Sequence, residues 1–333
     1  MSLDLTIVWA LLLAFFVAMY VVMDGFDLGI GILFPRFPVG KQRDMAMNSV
    51  APVWDGNETW LILGGNGLIA AFPVAYAIIL PALYAPLIAM LLGLIFRGVA
   101  FEFRWRDPGH RRWWDAGFFL GSLVATLAQG ITLGALLQGI EVQGRAYGGG
   151  WWDWLSPFSL LVGVGLVIGY ALLGACWLVW KTQGELQAKA RRLAKLLLPT
   201  LLVAIGAVSL ATPFLEGKYH ERWFDYPGLL VTVPMPLFVL AAAYAAWRSI
   251  DRGRDAAPFF WTLGLFGLSL IGLAISIWPD VIPGRLSIWD AAAPHSSQAF
   301  MLVGAAVLIP VILAYTAWSY WVFRGKVGEE GYH

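Results

Sequence analysis

The sequence predicts an all-α polytopic membrane protein, and three observations support this fold class. Of the 333 residues, 59% are hydrophobic and 13% are charged, whereas soluble domains carry about 25% charged residues. The mean hydropathy is +0.72. The charged residues are also clumped, which leaves apolar runs longer than the core helices of soluble proteins. We therefore expect one integral-membrane domain over residues 1–333.

Nine apolar segments are predicted to cross the membrane. A hydrocarbon core about 30 Å thick needs about 20 apolar residues per helix. The first segment lacks a preceding basic region and is longer than the apolar part of a signal peptide, so we expect it to remain as a helix. The spans are predicted at roughly 5–34, 53–71, 77–101, 116–140, 157–180, 197–215, 228–247, 258–278 and 296–323.

The second span is the least apolar of the nine. The distribution of basic residues along the chain supports counting it as a membrane span. It contains Asp55, Asn57, Glu58 and a glycine-rich stretch at 64–67. With nine spans, eighteen of the 22 Lys and Arg residues lie on one side, and the other side has four, namely Arg145, Lys218, Arg222 and Arg285. Because positive residues favour the cytoplasmic side, the N-terminus is predicted to be periplasmic and the C-terminus cytoplasmic.

The later spans bring few further signals. Prolines at 234, 236 and 310 can kink their helices, and tryptophan clusters at 113–114 and 151–154 suit the two membrane interfaces. The glycines of span two allow either close helix packing or a broken helix of the kind found in transporters. The net charge of +1 argues against nucleic-acid binding. Cys176, the single cysteine, has no partner for a disulfide.

Four carboxylates within or beside the first two spans are the candidate site. An ionisable group at the middle of a membrane helix costs roughly 2.5 to 3.5 kcal/mol. Asp24 and Asp27 are three residues apart and therefore share one helix face. Asp55 and Glu58 have the same spacing and also share a face. The two spans are joined on the inner side, so their acidic faces can lie at similar depths. Four carboxylates arranged in this way suit proton conduction from the cytoplasm.

Structural roles for the same residues stay open. Asp24 or Asp27 could pair with Arg97, and Asp55 could cap the second span by accepting from its first free N–H groups. Arg97 and Glu102 are expected at or near the inner interface, where long side chains reach water at little cost.

Histidine placement argues against a haem held entirely by this chain, while His295, at the outer edge of the ninth span, stays open as a single ligand. A buried haem needs an axial ligand within the helices, but the four histidines fall in loops, at a span edge or at the C-terminus, namely His110, His220, His295 and His333. Neither a histidine pair at helical spacing nor a cysteine cluster indicates a metal site.

Several segments carry a family resemblance. MDGFDLGIGILFP at 23–35, NSVAPVWDGNETWLI at 48–62, FRGVAFEFR at 96–104 and SIWDAAAPHSSQ at 287–298 resemble subunit II of the cytochrome bd quinol oxidases, which include the cyanide-insensitive oxidases. The match runs in order from the first span to the last. The segment at 48–62 is the most specific part.

The resemblance implies a haem-free subunit of a bacterial inner-membrane complex. A larger subunit I carries the b- and d-type haems and the quinol site, and the complex reduces dioxygen to water without pumping protons. Each subunit is built as two four-helix bundles plus a peripheral helix. Asp55 is associated with a proton path and Asp27 lies in the same region. Small single-helix accessory subunits and a structural quinone are also implied.

The sequence therefore favours a subunit that stabilises its haem-bearing partner and conducts protons from the cytoplasm. In this hypothesis Asp55 receives protons, Asp27 relays them, Asp24 and Glu58 are supporting charges, and Arg97 is an electrostatic partner near Glu102. Two alternatives are a purely structural or assembly subunit and a secondary transporter, which should show inverted repeats. The sequence does not distinguish ubiquinol from menaquinol.

Overall fold

A computed structural model describes residues 4–215, 217–226 and 228–327. The chain is helical almost throughout, with short 3₁₀ turns at Phe34–Arg36, Pro108–His110 and Thr212–Phe214. The helices are α1 Leu5–Leu33, α2 Lys41–Asn48, α3 Trp54–Ala71, α4 Pro73–Ala82, α5 Tyr84–Arg106, α6 Arg111–Leu137, α7 Pro157–Lys181, α8 Gly184–Ala211, α9 Gly217–Phe224, α10 Leu229–Thr232, α11 Pro234–Asp251, α12 Ala257–Ile277, α13 Ile288–Ala291 and α14 His295–Val322.

Two small antiparallel hairpins interrupt the helical pattern. One pairs β1 (Val142–Gln143) with β2 (Ala146–Tyr147), and the other pairs β3 (Asp280–Ile282) with β4 (Leu286–Ser287). Both lie in connections between long helices. The sequence predicted only helices, because strands of two or three residues are too short to leave an alternating pattern.

Seven helical segments in the described part of the chain are long and apolar enough to cross a membrane, so the polytopic helical class is confirmed. The other two predicted spans correspond to α3 and α11. Each has 18 residues, which is within the range that a membrane span needs. Both are less apolar than the other seven, because α3 carries Asp55 and Glu58 and α11 carries Arg248 and Asp251. The count of nine crossings therefore stays a prediction.

Several predicted boundaries differ from the structure, among them the seventh span, which divides into α10 and α11. Two of the differences have a clear physical cause. The third span was expected at 77–101, but α4 ends at Ala82 and α5 begins at Tyr84. This break leaves Pro86 in the first turn of α5, where its missing N–H has no helical partner to lose.

The other difference concerns α8, which was expected at 197–215 but begins at Gly184. The hydrophilic stretch before residue 197 is an amphipathic helix, because Leu186, Ala190 and Ala194 are spaced four residues apart and all are buried. Its charged residues occupy the remaining faces.

Close helix crossings rest on small residues. A β-carbon on Gly93 would lie 2.7 Å from the carbonyl oxygen of Gly121, which joins α5 to α6. One on Gly134 would lie 2.6 Å from the α-carbon of Ser159, which joins α6 to α7. One on Gly29 would collide with the backbone carbonyl of Tyr170, which joins α1 to α7. Such contacts let helix backbones approach closely in a membrane.

Helix α1 lies at the centre of this packing and contacts α3, α6 and α7. Helices α7, α8, α11 and α12 pack with one another in the second half of the chain. One large apolar core joins the two halves, and within it the Phe26 ring stacks on Trp177 at 4.2 Å between centroids.

Helix α14 packs differently. Among the described residues of this helix only Gln298 is buried. At its N-terminal end the Trp9 indole donates to the Gln298 carbonyl oxygen at 3.1 Å. At its C-terminal end the Lys181 ammonium donates to the Phe323 carbonyl oxygen at 2.6 Å, and Lys326 reaches Asp255 at 2.6 Å.

Candidate functional site

The first two acidic residues of the candidate site lie on one buried face of α1. Asp24 is 0% exposed and Asp27 is 2% exposed. They are three residues apart in a helix, so their side chains project in similar directions. Gly25 and Gly29 on the same helix allow α7 to approach closely through Tyr170. The sequence thus places two carboxyl groups where two helices exclude solvent.

Arg97 joins this pair to α3. One terminal guanidinium nitrogen donates to Asp24 Oδ1 and the other donates to Glu58 Oε2 at 2.7 Å. The expectation that Arg97 reaches water at the inner interface is wrong, because only 1% of the residue is exposed. Its backbone lies at the tight crossing with α6, where a β-carbon on Gly121 would be 2.8 Å from the Arg97 nitrogen.

Asn57 connects Asp27 to α14. Its amide nitrogen donates to Asp27 Oδ2 at 2.7 Å, and its amide oxygen accepts from the Tyr320 hydroxyl at 2.9 Å. Sequence reasoning noted Asn57 only as a polar residue in a weak span and missed Tyr320. The signal for Asn57 was its place beside Glu58 in an apolar segment, whereas nothing in the sequence indicates that α14 lies next to α3.

The cluster formed by Asp24, Asp27, Glu58 and Arg97 has more acid than base. One guanidinium faces three carboxyl groups, and Asp27 has an amide partner rather than a cation. Asp24 Oδ2 and Asp27 Oδ1 are buried without a hydrogen-bond partner among the described residues. A cluster with spare acceptor atoms and unbalanced acid can take up protons or bind water.

Asp55 and Glu102 lie outside the cluster. Asp55 is exposed in the first turn of α3. The alternative that it caps this helix is wrong, because the N-cap is Val53 and the helix start has no side-chain cap. Glu102 is exposed on α5, with Arg106 at 3.9 Å as its ionic partner. The structure therefore brings together four of the six predicted residues.

A second buried ion network was missed. Arg104 is fully buried and its side chain contacts Asp115 Oδ1 at 2.5 Å and Asp44 Oδ1 at 2.8 Å. Arg43 contacts the other oxygen of Asp115 at 2.6 Å. These pairs fasten α2 to the C-terminal end of α5 and the N-terminal end of α6. Nothing in the sequence indicates this network, because its residues fall in stretches predicted to be solvated loops.

The histidines that the structure describes lie away from the cluster. His110 contacts Asp107 at 2.9 Å, and this hydrogen bond holds the pKa of Asp107 below its usual value. His295 is the first residue of α14 and is exposed. Across residues 4–215, 217–226 and 228–327, no group of three His, Cys, Asp or Glu side chains has the spacing of a metal site.

Comparison with known proteins agrees with the resemblance. The family described as cytochrome bd terminal oxidase subunit II matches residues 5–323. The chain is 31% identical to the cytochrome bd-I ubiquinol oxidase subunit 2 of Escherichia coli K12, over 98% of this chain and 96% of that protein. It is 29% identical to the cytochrome bd ubiquinol oxidase subunit 2 of Bacillus subtilis 168, over 97% and 96%.

A solved structure shows the same fold. The bd oxidase from Geobacillus thermodenitrificans contains a chain that aligns with a TM-score of 0.75 at 18% identity, covering 97% of this chain and 100% of that one. The predicted resemblance, the oxidoreductase class and the multi-pass location in the bacterial inner membrane are confirmed. The chain belongs to the cytochrome bd terminal oxidase subunit II family, as a membrane subunit of an oxidoreductase complex.

Proposed function

We propose that this chain packs beside a haem-bearing subunit I and supplies part of a proton path from the cytoplasm for the reduction of dioxygen to water. The buried acidic cluster is the observation that carries this proposal. Relatives named as ubiquinol oxidase subunits support the reaction class. Quinol and dioxygen are then substrates of the complex, and the proton is what this chain handles.

The charge balance of the cluster supports a role in proton transfer. Burying an uncompensated carboxylate costs several kcal/mol, and Arg97 can balance one of the three acids. A proton held within the cluster removes part of this cost. Asp27 suits the relay, because its partner is the Asn57 amide and its Oδ1 is free among the described residues.

The remaining roles follow from exposure. Asp55 is exposed and receives protons from water, and partly exposed Glu58 lies between it and Arg97. Asp24 is the fixed partner of Arg97. Glu102, beside Arg106 at 3.9 Å, contributes only to the surface charge.

The haems belong on the partner in this proposal. A haem held by this chain needs an axial ligand inside the helix bundle. His110 and His295 lie at helix ends, and His220, which was predicted in a loop, lies exposed in the short helix α9. These residues therefore do not fit a haem site. The structural quinone and the small accessory subunits implied by the family remain predictions.

The proposed topology has nine crossings, with the N-terminus outside and the C-terminus inside, arranged as two four-helix bundles and a peripheral helix. The packing of α7, α8, α11 and α12 with one another and the poorly buried α14 support this arrangement.

Replacing Asp27 by Asn in the assembled oxidase tests the proton role. We expect quinol-driven oxygen uptake to fall at least about 100-fold, the effect of losing one positioned proton carrier at the low end of general acid–base catalysis, while haem content stays normal. Asp55→Asn should give a smaller loss, because water can deliver protons directly to Glu58. Glu102→Gln is the matched control and should retain full uptake.

Two outcomes would contradict the proposal. Normal uptake with normal haem in Asp27→Asn removes the proton role. Loss of haem together with activity supports the structural alternative instead. The ion pairs of Arg97 are consistent with that alternative, because they tie α1, α3 and α5 together. The transporter alternative is set aside, because the chain belongs to an oxidase family.

A further inference from the structure

A hydrogen-bonded chain of three side chains lies beside the acidic cluster, within the bundle. The Tyr170 hydroxyl donates to Gln129 Oε1 at 3.1 Å, and the Gln129 amide nitrogen donates to the Tyr20 hydroxyl oxygen at 2.5 Å. Tyr170 is 0% exposed and Tyr20 is 5% exposed. The three residues come from α7, α6 and α1, so the chain joins three helices. The proposed proton route does not use it.

The Tyr20 hydroxyl is directed into the same polar stripe as the acids. Residues 20, 24, 27 and 31 follow one face of α1, at steps of four, three and four. This face meets α6 at two points. Tyr20 contacts Gln129 at one of them, and a β-carbon on Gly31 would collide with the Ser122 hydroxyl at the other. Asp24 and Asp27 lie between these points.

The facing stripe on α6 is also polar. Ser122, Thr126 and Gln129 follow one face of that helix, at steps of four and three. Thr126 lies between the two contact points and is therefore level with Asp24 and Asp27. Its side chain is 0% exposed. Two antiparallel polar stripes thus run side by side in a bundle that excludes solvent.

Two buried polar atoms at this level are unsatisfied, and a third group has a spare donor. Asp24 Oδ2 and Thr126 Oγ1 have no hydrogen-bond partner among the described residues. The Tyr20 oxygen accepts from Gln129, which leaves its own O–H free to donate. Buried polar groups without partners cost about 1 to 3 kcal/mol each, and a buried water typically makes about three hydrogen bonds.

We propose that an internal water molecule binds between Tyr20, Asp24 and Thr126 and connects the acidic cluster to the Tyr170–Gln129–Tyr20 chain. The water accepts the Tyr20 O–H and donates to Asp24 Oδ2 and Thr126 Oγ1. Every donor in the chain then points towards Asp24, whose other oxygen accepts from Arg97. Tyr20 is a positioning residue that fixes the water. The effect on turnover rests on the proposed proton route, whereas the water site itself does not.

The test is a cryo-EM map of the assembled oxidase at a resolution that shows ordered water. We expect density about 2.8 Å from the Tyr20, Asp24 and Thr126 oxygen atoms. The density should be absent in Tyr20→Phe and present in Tyr170→Phe, the matched control, which leaves all three binding atoms in place. A parent map without this density, or a Tyr20→Phe map that retains it, overturns the proposal.

Turnover supplies the second measurement. We expect Tyr20→Phe to lower quinol-driven oxygen uptake about fivefold, the rate equivalent of one net hydrogen bond of about 1 kcal/mol, with normal haem content and an altered solvent deuterium isotope effect. Full uptake in Tyr20→Phe, together with a strong defect in Asp27→Asn, defeats the link to turnover but leaves the proton route intact. Water density with full activity in Asp27→Asn defeats the proton route but leaves the water site intact.

Discussion

At the scale of residues, Arg97 determines the geometry of the acidic cluster. It donates to carboxylates from α1 and α3 while its own backbone belongs to α5. Its guanidinium also lies 5.7 Å from the ring centroid of Trp54, a cation–π contact that a lysine could not match in shape. A planar cation with several donors is therefore required at this position.

Replacing Arg97 by Met should destabilise the assembled complex strongly. Removing one partner of a buried ion pair leaves the other charge uncompensated and costs about 3 to 5 kcal/mol. The measurement is the thermal stability of the haem absorbance in detergent. The double variant Arg97→Met with Asp24→Leu should recover part of the loss. Arg106→Met is the control, because Arg106 is exposed; equal stability of the Arg97 and Arg106 variants would contradict the assignment.

The sequence was sufficient to find the acids and insufficient to find their partners. Asp24 and Asp27 stand out because charges are rare in an apolar helix. Asn57, Tyr320, Tyr20 and Gln129 do not stand out, since polar residues are common in membrane helices and their roles depend on which helices are neighbours. Long-range contacts of this kind leave no local pattern in one chain.

At the scale of elements, glycine contacts set the distances between helices. Helix α1 approaches α7 where Gly29 meets the backbone of Tyr170 and where Gly174 meets that of Gly29. Since backbone atoms cannot move aside as a side chain can, these crossings tolerate little added volume. The same crossing brings Tyr170 towards the acidic face of α1.

Gly29→Ala should therefore damage assembly. Overpacking costs typically 1 to 3 kcal/mol, and a backbone obstacle puts this variant near about 3 kcal/mol. We expect a lower melting temperature of the haem complex and a lower yield. Gly206→Ala on α8 is the matched control, because a β-carbon there meets nothing within 4 Å. A Gly29 variant as stable as the Gly206 variant would refute the close crossing.

At the scale of the whole molecule, the predicted orientation can be checked through the single native cysteine. Cys176 is buried, so it should not react with a membrane-impermeant thiol reagent. Arg145→Cys, in an exposed loop between α6 and α7, should label from the periplasmic side of intact cells. Arg252→Cys, exposed after α11, should label only after the membrane is opened. The reverse labelling pattern would invert the topology.

The overall class was predictable because it depends on composition, whereas the ends of the helices were not. Helix α8 begins at Gly184 because Leu186, Ala190 and Ala194 find apolar partners. Hydropathy alone reports that segment as polar. The break between α4 and α5 is a further local event, set by Pro86 and hidden within a continuous apolar run.

The attachment of α14 has an evolutionary consequence. The helix is secured at its two ends, by the Gln298 carbonyl to Trp9 and by Phe323 to Lys181, and Tyr320 ties it to Asn57. Between these anchors four apolar side chains are exposed on the surface of the chain, namely Phe300, Val303, Val307 and Val311. Mutations at those four positions leave the internal packing unchanged, so their identities can drift with whatever surrounds the helix. The anchors cannot drift in this way, and α14 should evolve at two separate rates along its length.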